Sequence, residues 1–391
     1  MNLLIATDHS FMACDSRIFD TATHDPGFFE DYQKAFENVS VICRMAQRDS
    51  IPEGAFRCDS RGVKFIGLPN LHGPLWAILG DRLSSSIAEK AASAADAMVL
   101  RVPGQIGWAA GRVARSFGKP YMVEVVGDPQ KHILSLGSNP LYRLMALRYA
   151  HRLRILARHA AVASYVSSVG LTGAYPTGTE APTLCISDIR LNPEQIARPR
   201  DYRVKGSRLR VIMVANLVGY KRHEDMLHAT RRLLDGGSEL EVRLVGDGPR
   251  RRRLEAISEK LHLRDHVAFH GHIADREALN RLLDGSDLFV MTSAAEGLPR
   301  AMIEAMARGL PVIASRAGGI TELVDDTELF AVGHVDQLAD LIGRLCSDPE
   351  RLARLSAASV NKARAFTSDK LSSKRITLYR FLRDRVVRAG K

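Results

Sequence analysis

Residues Glu296–Gly309 read EGLPRAMIEAMARG, inside the longer run DLFVMTSAAEGLPRAMIEAMARGLPVIAS. The apolar residues Leu288–Met291 predict a strand, and the small residues after it predict a loop. Pro299 falls where a helix begins, because proline at the first turn gives up an N–H that has no helical partner. Gly309 supplies the left-handed stop. A strand end therefore opens beside a helix N-terminus, with Glu296 just before the helix and Glu304 inside it. Free backbone N–H groups at such a terminus attract anions. Two carboxylates there suit a ligand that is anionic in one part and hydroxylated in others, as a sugar nucleotide is. About five residues of helix separate them by a rise of about 8 Å, enough to reach different parts of one ligand. Taken alone, E-x7-E fits a salt-bridged helix better, so the rest of the chain has to decide.

The chain has 391 residues, enough for two cores. Its 46% hydrophobic and 25% charged residues are ordinary for a globular protein. Cys14, Cys43, Cys58, Cys185 and Cys346 are odd in number and scattered, without C-x-x-C, which argues against a disulfide framework or zinc ribbon and fits a reducing compartment. MNLLIATDHS reaches Asp8 too soon for a signal peptide and is expected to be a first strand. No stretch approaches the roughly 20 apolar residues of a membrane span. These features predict a cytoplasmic protein, peripheral on the inner membrane face at most. A net charge of +11 admits nucleic acid, an anionic membrane or anionic substrates. Nucleic acid is not expected, since no helix-turn-helix, finger or ribonucleoprotein signature occurs.

Strand-like and amphipathic helical runs alternate throughout, predicting an α/β architecture with parallel sheets. Strands are expected at Leu3–Ala6, Val39–Cys43, Lys64–Ile66, Ala97–Leu100, Tyr121–Glu124, Ala161–Ser164 and Thr183–Ile186. The clearest helices between them are Leu75–Ala92, Ile106–Phe117 and Leu141–His159. Periodicity fails around Asp188–Ser207, where proline and arginine accumulate, and a linker is expected. A second series runs from Leu209–Val214 through a helix from His223, the strand of EVRLVGDGP, a helix from Pro249, the strand of HVAFHG and a helix from Asp275. It then passes the opening strand–loop–helix, a strand at Pro311–Ala314 and helices near Val335–Cys346 and Pro349–Phe366. The expected division is 1–190, a linker at 191–207, 208–367, and a basic terminal helix at 368–391. Two doubly wound halves place the ligand site in a cleft between them.

The second half carries VANLVGYKR (Val214–Arg222), LVGDGP (Leu244–Pro249), VAFHGHI (Val267–Ile273), EGLPRAMIEAMARGLPVIAS and ASRAGGITELV (Ala314–Val324) in that order. Each is weak alone; together, over Leu209–Phe366, they resemble the retaining family-four glycosyltransferases of the GT-B fold. The resemblance implies two Rossmann-like domains facing across a cleft, with a nucleotide-sugar donor held mainly by the second. By position, Lys221 is similar to the family's cation on the donor diphosphate, and Glu304 to its carboxylate on the ribose hydroxyls. Glu296 is similar to the carboxylate near the donor sugar, and Gly297 and Leu298 to the N–H contacts on sugar and phosphate. Gly246 and Gly248 would allow the tight turn beside the donor, and Gly271–Ile273 would cradle the base through backbone. UDP- and GDP-sugars both fit, with no cofactor and no bound metal expected.

The departures are specific. The family's arginine five residues before the lysine is replaced by Asn216, so Arg222 and Arg300 become candidate substitutes. The double-glycine loop after the first strand is missing; TDHSFMACDSRIFDTATHDPG stands there, with His9, Asp15 and His24 as polar loop residues. Where relatives end a strand with His-Asp, this chain has YMVEVVGDPQ, making Asp128 the candidate catalytic analogue of the lost histidine, or a turn residue before Pro129. GKPYMVEVVGDP and Ala163–Pro176 resemble a subgroup in bacterial capsule and exopolysaccharide assembly. Leu141–His159 sets arginines around an apolar stripe, so an anionic membrane surface is a candidate partner beside a glycan or lipid-linked acceptor; an ordinary surface helix is the alternative. The terminal helix is expected to cross back to the first domain. The expected function is retaining transfer of a sugar from a nucleoside diphosphate sugar to an acceptor hydroxyl in cell-surface polysaccharide synthesis. Its alternative is a non-catalytic sugar-nucleotide-binding partner subunit. An NAD-dependent oxidoreductase lacks its fingerprint at Asp8-His9-Ser10, and an epimerase does not carry this E-x7-E context.

Overall fold

A computed structural model describes residues 1–21, 24, 26–52, 54–71, 73–135, 139–202 and 208–389. The end of the expected linker, 203–207, lies outside the described residues. The chain divides into two units. One comprises Met1–Gln130, Pro140–Asp188 and Asp369–Lys391, the other Lys131–Asn139 and Ile189–Ser368.

The first unit is built on β1 (Asn2–Cys14), β2 (Arg17–Asp20), β3 (Asn38–Gln47), β4 (Phe56–Arg57), β5 (Val63–Pro69), β6 (Ala97–Val102), β7 (Tyr121–Val125), β8 (Val162–Tyr165) and β9 (Thr183–Cys185). Its parallel strands lie in the order β5-β3-β1-β6-β7-β8-β9, with β2 antiparallel to β1 and β4 antiparallel to β2. The β1–β2 hairpin corrects the sequence reading, which took this stretch for a loop. After a register irregularity between Ala6 and Ser10, β1 continues to Cys14. Asp15 and Ser16, at φ 48° and 64°, close the turn in the left-handed region, which aspartate tolerates through its short polar side chain. Phe11, Cys14 and Phe19 are buried from the hairpin, so its apolar side chains fix it to the core.

The second unit carries β10 (Leu209–Val214), β11 (Leu240–Val245), β12 (Val267–Gly271), β13 (Leu288–Met291), β14 (Val312–Ser315) and β15 (Leu329–Phe330). All pair in parallel, in the order β12-β11-β10-β13-β14-β15. Helices cover such a sheet on both faces, which is why these strands read as continuous apolar runs. Val211, Val242, Leu288, Val290 and Ile313 form its buried centre.

Two stretches are fastened more firmly than their sequences suggest. Before residue 203, Arg200 donates to the carbonyls of Leu283, Ser286 and Arg308, and the Tyr202 hydroxyl donates to Asp287 O within the second unit. The basic helix Ser368–Ala389 buries Leu371, Leu378, Tyr379 and Leu382. Its Tyr379 hydroxyl donates to buried Glu124, and Arg375 donates to Ser187 O.

Candidate functional site

In a parallel sheet of this order, ligands bind beyond the carboxyl ends of the strands where the winding reverses. In the second unit that point lies between β10 and β13. The loop after β10 turns through a short 3-10 segment, Gly219–Lys221, into the helix His223–Asp235. It is tied to the loop after β13: Thr292 Oγ1 donates to the carbonyls of Lys221 and Arg222, and Ala294 N donates to Tyr220 O. On its other side lies the glycine turn after β11. A Cβ on Gly246 would stand 2.1 Å from Ala215 O, and one on Gly248 2.7 Å from Leu217 O. Only glycine lets these two backbones approach so closely. Gly271 follows in line, its carbonyl accepting from Gly246 N at 2.8 Å.

This convergence brings Lys221 to Glu296. The ammonium donates to Glu296 Oε1 at 2.5 Å, with the side chains 14% and 10% exposed. Gly297 and Leu298 follow, and their N–H groups make no hydrogen bond among the described residues. The helix runs Arg300–Ala307, with Pro299 at its cap and Gly309 at φ 72° just past its end. Glu304, one turn in, accepts from Arg276 Nη1 at 2.8 Å. Arg276 opens the helix Arg276–Asp284, which Asp275 caps through its own carboxylate. Arg300 and Asn216 are exposed, and Ile273 is half-buried. The second unit thus gathers Lys221, Glu296, Gly297, Leu298, Arg300 and Glu304 around one strand-end region, with Asn216, Gly246, Gly248, Gly271 and Ile273 on the flanking loops. A paired lysine, an exposed arginine, N–H groups without a partner among the described residues and carboxylates at two depths are the donor set that phosphates and hydroxyls need.

The corresponding reversal in the first unit, between β1 and β6, is filled from within. Asp8 accepts from Trp76 Nε1 at 2.6 Å and from Ile106 N at 2.9 Å, at the start of the helix Gln105–Ser116. A Cβ on Gly104 would lie 2.1 Å from Asp8 Oδ2. Burial raises the Asp8 pKa, against these hydrogen bonds and Arg44. The chain's own carboxylate therefore takes the place an anionic ligand would use.

Contrary to the sequence reading His9 lies on β1, whereas His24 is a loop residue, between β2 and the next helix, and is buried. Both imidazoles face Asp20 Oδ2, at 2.9 Å from His9 Nε2 and 3.0 Å from His24 Nδ1. Burial, reinforced by His9 and Arg101, lowers the His24 pKa to about 3. Burial alone would raise Asp20, but its hydrogen bonds to His24 and His9 hold it far below the usual carboxylate range. By distance the three can surround a cation. The backbone N–H groups of Thr21 and His24 already crowd the same carboxylate, which makes the cluster a hydrogen-bonded one. Asp15 forms the hairpin turn. Asp128, also in the first unit, accepts from Gln130 N and from the buried Tyr175 hydroxyl at 2.6 Å.

Sequence reasoning missed Arg276, Thr292 and Gly318 as supports of the site. A Cβ on Gly318, at φ 51°, would stand 2.0 Å from Glu296 O, so this glycine holds the Glu296 backbone in place. Its motif, ASRAGGITELV, was visible; its partner was not.

The family model for glycosyl transferases group 1 matches residues 195–362. Protein CapJ of Staphylococcus aureus is 31% identical over 251 residues, 64% of this chain and 62% of CapJ. The putative colanic acid biosynthesis glycosyltransferase WcaL of Escherichia coli (strain K12) is 35% identical over 133 residues, 32% of each chain. The chain thus spans less than two thirds of these relatives. Two solved structures share the fold over nearly the whole chain. Sucrose-phosphate synthase from Thermosynechococcus elongatus aligns with a TM-score of 0.71 at 19% identity, covering 100% of both chains. Anabaena HepE in complex with UDP-glucose aligns with a TM-score of 0.67 at 19% identity, covering 96% of this chain and 98% of that one. The stretch that carries Lys221, Glu296 and Glu304 thus matches the glycosyl transferases group 1 over 195–362, and the fold of the chain is GT-B.

Proposed function

We propose that the protein transfers a sugar from a nucleoside diphosphate sugar to a hydroxyl of a glycan or glycolipid acceptor, with retention, in bacterial cell-surface polysaccharide synthesis. The observation that carries this reading is the Lys221–Glu296 pair beside the unpaired N–H groups of Gly297 and Leu298. The donor diphosphate draws Lys221 away from Glu296 and lies against those N–H groups. Glu296 is freed to accept from hydroxyls of the donor sugar, and Glu304, steadied by Arg276, accepts from the ribose. UDP- and GDP-sugars remain the candidate donors, since Gly271–Ile273 meets the base through backbone.

The acceptor oxygen attacks the anomeric carbon on the face that the diphosphate leaves. The bond from that carbon to the phosphate oxygen breaks, and the leaving diphosphate takes the acceptor proton. No protein nucleophile and no bound metal enter this scheme. Lys221 and the helix start stabilise the charge gathering on the leaving group, where preorganised donors contribute most. Asp128 is proposed as the catalytic analogue of the family's histidine, a role additional to its bonds with Gln130 and Tyr175 within the first unit.

The acceptor side is proposed to be lipid-linked and approached on an anionic membrane surface. The helix Pro140–Arg158 has no acidic residue, and Leu141, Leu144 and Leu147 are 57%, 65% and 58% exposed among the exposed Arg143, Arg148, His151, Arg154 and Arg158. Apolar contact with cationic flanks suits the interface of an anionic bilayer. No helix among the described residues is long and apolar enough to cross a membrane.

Labelled UDP- and GDP-sugars test the reading: binding, slow release of nucleotide and faster release with a glycolipid extract are expected. Lack of any binding at millimolar donor overturns it. Asn216, uncharged at the β10 exit, favours the second reading of a non-catalytic donor-binding subunit. That reading predicts binding with no release at all.

A further inference from the structure

We infer that Arg250 supplies the second cation of the diphosphate site, beside Lys221. This rests on the donor reading above.

A diphosphate bridge carries two negative charges, and Lys221 answers one of them. Arg222 is held elsewhere. Its Nε and Nη2 donate to Asp225 at 2.6 and 2.9 Å, and its guanidinium lies against Gly333. Asn216 has no charge to offer, and Arg300 is exposed at its helix start with no hydrogen bond or ion pair among the described residues to aim it at the Lys221 turn. Arg250 is brought to the same loop by backbone, since its N–H donates to Leu217 O at 3.1 Å, next to Asn216. Its guanidinium then reaches the turn that carries Lys221: a Cβ on Gly219 would stand 3.4 Å from Arg250 Nη1. Gly219 is exposed and has no side chain to separate this guanidinium from a ligand over the turn.

The charge around Arg250 is not cancelled by its partner. Glu224 Oε1 accepts from Arg250 Nη2 at 3.0 Å and also lies 2.9 Å from Arg253 Nε, so two guanidiniums share one carboxylate. One positive charge remains in surplus. His223, buried at the start of the next helix, feels both neighbours. Its pKa falls to about 4, chiefly by burial and further by Lys221 and Arg250. The two cations thus reach one turn from two loops, one as a planar fork and the other as an ammonium. A guanidinium can bridge two phosphate oxygens where an ammonium acts as a point charge.

The test uses the full chain and the probes UDP, GDP and the nucleosides uridine and guanosine. Arg250→Gln is expected to weaken binding of whichever diphosphate binds by at least tenfold, while leaving affinity for its nucleoside unchanged. Arg253→Gln, which leaves Arg250 on Glu224, is expected to bind the diphosphate normally. Asn216→Arg in the Arg250→Gln background is expected to regain most of the lost affinity, because position 216 lies in the same loop as that turn, three residues before Gly219. Equal binding of diphosphate by Arg250→Gln and the unaltered protein overturns this inference and leaves the donor reading standing. Parallel loss of nucleoside affinity overturns it too, since that marks a merely structural arginine. Failure of the unaltered protein to bind either diphosphate overturns the donor reading, and this inference with it.

Discussion

Lys221 and Glu296 lie 75 residues apart and meet through a 2.5 Å hydrogen bond at the winding reversal of the second sheet. The pair keeps a cation in place beside the start of the helix Arg300–Ala307. Lys221→Ala is expected to lower sugar transfer about 100-fold, the usual effect of deleting a charge-stabilising donor, with little change in melting temperature. Turnover with a labelled donor and a thermal melt, read together, check this. Unaltered turnover would remove Lys221 from the site.

Gly318 supports Glu296 from below. Its positive φ and the 2.0 Å that would separate an added Cβ from Glu296 O leave no room for a methyl group. Gly318→Ala is expected to cost about 1–3 kcal/mol and to reduce donor binding by displacing the Glu296 carbonyl. Urea denaturation and nucleotide titration measure the two effects separately. A stable variant with normal donor binding would contradict this geometry.

Buried neutral histidines make stability depend on pH. His24 and His223 have folded pKa values of about 3 and about 4, against 6.5 when unperturbed. Below pH 6.5 the unfolded chain takes up protons that the folded chain refuses, so the unfolded state gains. Stability is therefore full above about pH 6.5 and falls as pH drops from there toward 4, by up to about 1.4 kcal/mol per pH unit for each histidine. His223→Gln should flatten the slope between pH 6.5 and 5 by up to one proton. Urea midpoints across that range give the answer, and an unchanged slope would show His223 titrating normally.

The terminal helix is held in the first unit by buried polar contacts as well as leucines. Tyr379→Phe removes one hydrogen bond to Glu124 and is expected to cost about 1 kcal/mol. Arg375, 8% exposed, lies 3.7 Å from buried Asp31, so Arg375→Ala is expected to cost more, about 3 kcal/mol. Chemical denaturation of the full chain, followed by circular dichroism, ranks them. The reverse order would mean that the helix is anchored through Glu124 instead.

The sequence by itself determined the alternation of strands and helices, the loops that carry Lys221 and Glu296, and the helix that carries Glu304. Each of these is a local pattern: an apolar run, a glycine or proline stop, an amphipathic period. The helix His223–Asp235 begins at the residue its pattern indicated, and Gly309 takes the left-handed conformation its position demanded. The β1–β2 hairpin was not legible, because polar side chains obscured the second half of β1, of which Phe11 and Cys14 are the buried residues. Only the tertiary structure decided which side chains meet. Asp8 closes the first unit's reversal, Arg276 holds Glu304, Gly318 touches Glu296, and Arg250 reaches the Lys221 turn. Those pairings come from loops converging at the carboxyl edge of a parallel sheet. Strand order sets that convergence, and no local periodicity records it.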